Sequence, residues 1–352
     1  MNPRYVILAG ATLVTGVGIL LAASRGQGLG QMQAQEFDAT VVTTGLDTPW
    51  DMTWGPDSMI WLSERGGRIS RVDPKSGRRT SAGEVAGVAQ RGESGLTGIA
   101  LHPDFPREPW LYAMHTYDAG GLHNRLVRLR WNGSRLEGQQ VLLDGMPGGY
   151  IHDGSRIAVG PDRMLYITTG DAGSADLAQD STSLGGKILR LDLEGKVPAD
   201  NPFRSAIWSM GHRNGQGLVF HKGLLYETEH GPGSNDEVNL IRKGANYGWP
   251  NANGVAALTS WTPTVAIAGA DFHGDDLLAT SLSGRTLWRM TLSSDGARIT
   301  NRSPVLSGVY GRLRDVLVAS NGDIYICTSN RDGRGAPADG DDRIIRLTPK
   351  RR

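Results

Sequence analysis

The chain reads as an all-β protein, a six-bladed β-propeller, and three observations predict it. A unit of strand, turn and strand recurs six times, its key residue spaced 51, 54, 60, 52 and 47 positions apart. Apolar residues in these units alternate with period two, as in "KILRLDL" and "RISRVDP", the pattern of a half-buried strand. No segment after residue 36 sustains a helical period, and 49 glycines in 352 residues supply the turns that many short strands need. Two stacked β-sandwiches would explain the strands but not the six-fold repeat.

Taken in order, residues 1–25 stand apart. "YVILAGATLVTGVGILLAA", from Tyr5, carries no charge and predicts a signal peptide or an N-terminal membrane anchor. Either use implies export to the periplasm or another extracytoplasmic compartment, with cleavage or retention left open. Residues 26–36 read as a flexible linker, and residues 37–352 as the propeller. "FDATVVTTG", starting at Phe37, is strand-like. The last repeat supplies only three strands, so this segment is expected to complete the final blade and close the ring. The repeats then follow: "GPDSMIWLSERGGRISRVDP" around Trp61, "HPDFPREPWLYAMHTY" around Tyr112 and "GPDRMLYITTGD" around Tyr166. "FHKGLLYETEH" centres on Tyr226, "FHGDDLLATSLSGRTLWRMTL" substitutes Leu278, and "ASNGDIYICTSN" centres on Tyr325.

Composition removes several function classes. Lys+Arg at 37 against Asp+Glu at 36 leaves a net charge of +1, with no footprint for nucleic acid. The single cysteine, Cys327, excludes an internal disulfide and a cysteine metal cluster; its strand-like flanks make it an inert buried thiol. The chain has no HExxH, P-loop, strand-to-helix GxGxxG or nucleophile elbow. Nicotinamide, nucleotide and serine-nucleophile chemistry are therefore disfavoured.

What remains is a set of polar residues in register. In a propeller the residues just ahead of each innermost strand gather at one channel mouth. His152, Arg213, Asn214, Arg312, Arg314 and, after allowing for a longer turn, Glu93 all fall about 11 to 15 residues ahead of their repeat's key residue. Taken singly, a loop arginine is ordinarily solvated and a lone histidine structural. A shared phase in four blades has no such bland explanation. Three guanidiniums at one mouth call for a small polyanion, carboxylate or phosphate, and a histidine beside it is placed to accept a proton near neutral pH. A weaker constellation, "HGPGSNDEVNLIRKGANYGWP", offers the turn carbonyls at Gly231 and Pro232 with Asp236, Glu237 and Tyr247 as oxygen donors for a hard cation such as calcium. The acidic loop "DGRGAPADGDDR" reads as a solvated surface.

These blocks, with "ESGLTGIALHPDF", "LGGKILRLDLEGKVPADNPF", "GHRNGQGLVF" and "RLRDVLVASNGDIYI", resemble the soluble pyrroloquinoline quinone (PQQ)-dependent glucose/sorbosone dehydrogenases, which include aldose sugar dehydrogenases. The likeness runs from about residue 40 to 349. It implies a PQQ enzyme that oxidises an aldose at its anomeric carbon to a lactone, with His152 as the base and Arg213 beside the reactive quinone carbonyl. It further implies that Glu93, Asn214, Arg312 and Arg314 contact the cofactor. The carbonyls of Gly231 and Pro232 would hold its calcium, and Glu237 and Tyr247 would form a further calcium site. An external quinone or cytochrome would take the electrons.

Three departures stand out. Glu93 occupies a position where many members have glutamine, Ile151 replaces an acidic residue ahead of the histidine, and Ser283 stands near a missing lysine for which Arg285 is the candidate substitute. These departures keep two rival readings in view, a non-catalytic ligand- or protein-binding propeller and a calcium-dependent lactonase. The lactonase would need several carboxylates at the mouth, where the sequence offers chiefly Glu93.

Overall fold

The structure, a computed structural model, describes residues 37–251 and 253–350. The signal or anchor segment 1–25 and the linker 26–36 lie outside the described residues. Six four-stranded antiparallel sheets form the blades of a propeller. Their innermost strands are Pro49–Trp54, Leu96–Leu101, Gly154–Val159, Gly215–His221, Ile267–His273 and Leu313–Val318. The strand Phe37–Thr43 pairs antiparallel with Ile344–Pro349 and supplies the outer edge of the sixth blade. The first strand of the domain thus sits in the last sheet, as the sequence predicts. The described residues contain one short 3₁₀ turn, Ala175–Ala178, and no helix long and apolar enough to cross a membrane.

The physical reason for the repeat is visible between blades. The key residue of every repeat lies on the second strand of its blade and is buried, from Trp61 at 0% exposure to Tyr166 at 4%. Each reaches the next blade. Trp61 packs edge-on against Phe105 and Trp131 at 5.6 and 5.0 Å, and Tyr112 donates to the carbonyl of Leu193 at 3.1 Å. Tyr166 meets Phe220 at 5.0 Å, and Tyr226 donates to Gly296 at 2.9 Å. Leu278 enters the apolar cluster of the sixth blade with Leu313 and Ile326. Tyr325 stacks on Trp54 and closes the circle. Such side chains bring large apolar area and, for tyrosine, one polar end that needs a partner.

Every innermost strand carries a register shift near its mouth end, for example between Pro49 and Asp51, Gly154 and Ile157, and Leu313 and Asp315. Such bulges re-aim side chains, and here they bring polar groups onto the axis. Arg156 crosses the channel to pair with Asp51 and, at 3.0 Å, with Asp315, under the ring of Trp50 at 4.6 Å. Asp51 accepts the Ile99 N–H and Asp315 the Met52 N–H, each at 2.8 Å. One guanidinium serves two buried carboxylates, so burial lifts both aspartates above the usual carboxylate range. This layer separates a cavity at the mouth from a second one at the opposite end of the channel. Cys327 is fully buried and its thiol is pushed up by burial, in keeping with an inert role.

Candidate active site at the channel mouth

His152 lies two residues ahead of an innermost strand, and Asp171 two residues beyond the strand that pairs with it. Gly154 stands opposite Thr169 in that hairpin, so the antiparallel register brings the two side chains together. The imidazole Nδ1 is 2.7 Å from Asp171 Oδ1. The aspartate is fixed in turn by the Gly173 N–H and the Trp249 indole N–H, both at 2.8 Å. Burial works against its charge, but hydrogen bonds from His152, Gly173 and Trp249 outweigh this and hold the carboxyl below its ordinary range. His152 has φ of 61°, and a Cβ on Gly170 would sit 1.7 Å from the His152 carbonyl. Only glycine permits that approach.

On its other side the ring Nε2 lies 2.9 Å from an Arg213 guanidinium nitrogen. A guanidinium can only donate, so Nε2 accepts and the proton sits on Nδ1 facing Asp171. Arg213 also donates to the His230 carbonyl at 2.9 Å, and its backbone N–H is taken by Glu229 at 2.6 Å.

Beside this pair is a cavity of about 310 Å³ walled by Trp50, Arg65, Gln216, Arg312, Arg314 and Arg334, among others. Arg312 forms a fork on Asp332 at 2.9 and 2.7 Å, and Arg314 donates to Gln216 at 2.8 Å. Burial lowers Arg314 to about 10 and the His230 imidazole to about 4. Arg314 Nε, Arg213 Nε and His230 Nε2 are buried without a partner. Unsatisfied buried nitrogens among cations fit an anionic, acceptor-rich ligand, and the volume falls at the small end of the roughly 300–1,000 Å³ of ligand pockets.

Most of the residues selected by phase meet here: Glu93, His152, Arg213, Arg312 and Arg314 line this cavity or the recess next to it. Asn214 does not. It is 1% exposed, and its Oδ1 accepts from the Gly154 N–H and Gln216 Nε2, so it braces the wall from behind. Arg285 is exposed outside the cavity that Ser283 lines; Arg65 and Arg334 are the additional cations there. Glu93 adds no bare charge, because one oxygen pairs with Arg334 and the other accepts the His152 N–H at 3.1 Å. Nor is Glu93 the chief carboxylate of the mouth, since Asp153, Asp171 and Asp332 join it. Asp171 and Arg65 escaped the sequence reading because they follow the second strand of their blades; Asp332 and Arg334 belong to the loop read there as a solvated surface, which the structure instead folds into the mouth. Extending the count to that phase would have found Asp171 and Arg65.

Gly231, Pro232, Glu237 and Tyr247 line a neighbouring cavity of about 370 Å³. Burial, then Glu229, raises the Glu237 carboxyl to about 7. The Tyr247 hydroxyl donates to Leu240 at 2.6 Å and accepts the Arg242 N–H at 2.9 Å. Only the tyrosine's backbone carbonyl is left as an oxygen donor.

The site is thus a histidine–aspartate pair opening on a cation-walled mouth of a six-bladed propeller. A family model described as Glucose / Sorbosone dehydrogenase matches residues 46–345, and the chain belongs to that family. Quinoprotein glucose dehydrogenase B of Acinetobacter calcoaceticus is 38% identical over 258 residues, 63% of this chain and 54% of that protein's length. Aldose sugar dehydrogenase YliI of Escherichia coli is 29% identical over 336 residues, 83% of this chain and 90% of its own. The PQQ-bound aldose sugar dehydrogenase of Streptomyces coelicolor superposes with a TM-score of 0.83 at 39% identity, covering 89% of this chain and 98% of that one.

Proposed function

We propose that the protein is a PQQ-dependent aldose sugar dehydrogenase, with His152 as the general base and a lactone as the product. The observation that carries this reading is the imidazole held between Asp171 and Arg213. With Nδ1–H committed to the carboxylate, Nε2 is the acceptor nitrogen; its lone pair rests on an Arg213 N–H, and once that donor turns to the ligand Nε2 takes the proton of an anomeric hydroxyl. Asp171 stabilises the imidazolium that forms. This answers what orients the ring in the absence of an acidic residue at Ile151.

The quinone, when bound, supplies the acceptor for the anomeric hydride. Arg312 and Arg314, joined by Arg65 and Arg334, would hold its carboxylates, and Arg213 sets a guanidinium where negative charge develops. Gly231, Pro232, Glu237 and the Tyr247 carbonyl would hold calcium through oxygen. Electrons leave to an external quinone or cytochrome, and export through residues 1–25 belongs to the same reading. Glu93 and Asp332 are each committed to an arginine and Asp171 to His152, which speaks against the open carboxylate ring of a calcium lactonase.

Reconstitution with PQQ and calcium, followed by dye reduction with several aldoses, tests the proposal. His152→Ala and Asp171→Asn should keep the cofactor absorbance titration while His152→Ala lowers kcat by roughly 10²–10⁴-fold. Absence of saturable quinone binding, or an unchanged kcat in His152→Ala, would overturn it.

A further inference from the structure

We propose a second cation site in the wall of blade 4, where His212, Glu227, Glu229 and Asn239 hold one small divalent ion of the zinc class. Glu227 and Glu229 are two apart on the strand Leu224–Glu229 and so share a face. Asn239 stands opposite Glu227 on the strand Asp236–Ile241. His212 Nδ1 lies 3.0 Å from a carboxylate oxygen of each glutamate, and the three ligand atoms fall within 4.8 Å of one another.

Charge and hydrogen bonding both leave this cluster incomplete. Among the described residues, His212 is the basic side chain within pairing distance of either carboxylate. Glu227 Oε1 and Asn239 Oδ1 are buried and have no hydrogen-bond partner, and Glu227 Oε2 has only the His212 Nδ1 contact, which Glu229 shares. A dication would satisfy all three and balance two carboxylates. Gly215 makes the room, since a Cβ there would lie 2.2 Å from Glu227 Oε1. Ser209 Oγ sits 2.9 Å from His212 Nε2, the outer partner that orients a ligating imidazole.

The donor set selects the ion. One imidazole nitrogen with carboxylate and amide oxygens suits zinc or a similar transition ion, whereas calcium takes oxygen. The alternative occupant is a proton: although burial opposes it, Glu227 and Glu229 carry His212 up to about 10. Because Glu229 also accepts the Arg213 N–H, a metal here would stiffen the arm that carries Arg213.

The test uses cofactor-free full-length protein and no activity assay. After loading with zinc and dialysis against metal-free buffer containing excess calcium, elemental analysis should find about one zinc per chain. Glu237→Gln should retain it, and Glu227→Gln should lose at least about ten-fold of the retained metal while keeping the wild-type circular dichroism. Cobalt-loaded wild type should show the visible absorption of a nitrogen-ligated, low-coordinate ion, which keeps the test decisive if Glu227→Gln does not fold. No retained zinc in the wild type, equal retention in folded Glu227→Gln, or no such cobalt absorption would overturn the site and leave the shared proton.

Discussion

Asp153 shows how much a single burial decides. It follows the base in sequence, yet it is 4% exposed and turns its Oδ1 to the Asn124 amide at 2.8 Å and the Gly149 N–H at 3.0 Å. Its Oδ2 has no partner, and burial raises the carboxyl to about 7. The unfolded chain ionises this group first, so its contribution to stability is lost as pH rises from about 4 to about 7. Asp153→Asn removes that loss. Thermal melts should show the variant gaining on the wild type by up to about 4 kcal/mol across this window, and parallel melting curves at pH 4 and pH 7 would count against it. Residue identity alone does not reveal this. "IHDGS" names a histidine and an aspartate side by side, but which one faces the mouth depends on the left-handed backbone at His152. Residue identity is equally silent at Tyr247, whose hydroxyl packing turns inward, and at Asn214, which packing places behind the wall.

At the scale of elements, the hairpin explains both what the sequence disclosed and what it withheld. The entry side of each innermost strand is marked by the repeat itself, and that phase gathered His152, Arg213, Arg312 and Arg314. The exit side of the second strand carries Arg65, Asp171, Glu229 and Asp332, and nothing in local periodicity flags it. Only the antiparallel register pairs the two sides. The closing strand was legible because the last repeat is one strand short, and it gives a prediction of its own. Deleting Phe37–Thr43 exposes the hydrogen-bonding edge of Ile344–Pro349 and uncovers the core around Ile345 and Leu347. Unpaired edges promote association. The truncated protein should melt roughly 10 °C or more below the full chain and form oligomers on size-exclusion chromatography. A monomer with unchanged melting would show that the ring holds without its clasp.

For the whole molecule, the layer of Arg156, Asp51 and Asp315 spans the channel between the two cavities. In the proposed reaction the sugar, its product and the electron acceptor would then share the one mouth that His152 and Arg213 line. Traffic through a single doorway is sequential. On that reading the oxidised sugar would depart before the acceptor docks, and the reduced protein would wait between the two visits. Steady-state rates with varied sugar and acceptor should therefore give parallel double-reciprocal lines, with each partner inhibiting competitively against the other at high concentration. Intersecting lines would mean that both partners stand on the protein together. A salt bridge at the hub would thus set the order in which the reactants of the proposed reaction take their turns.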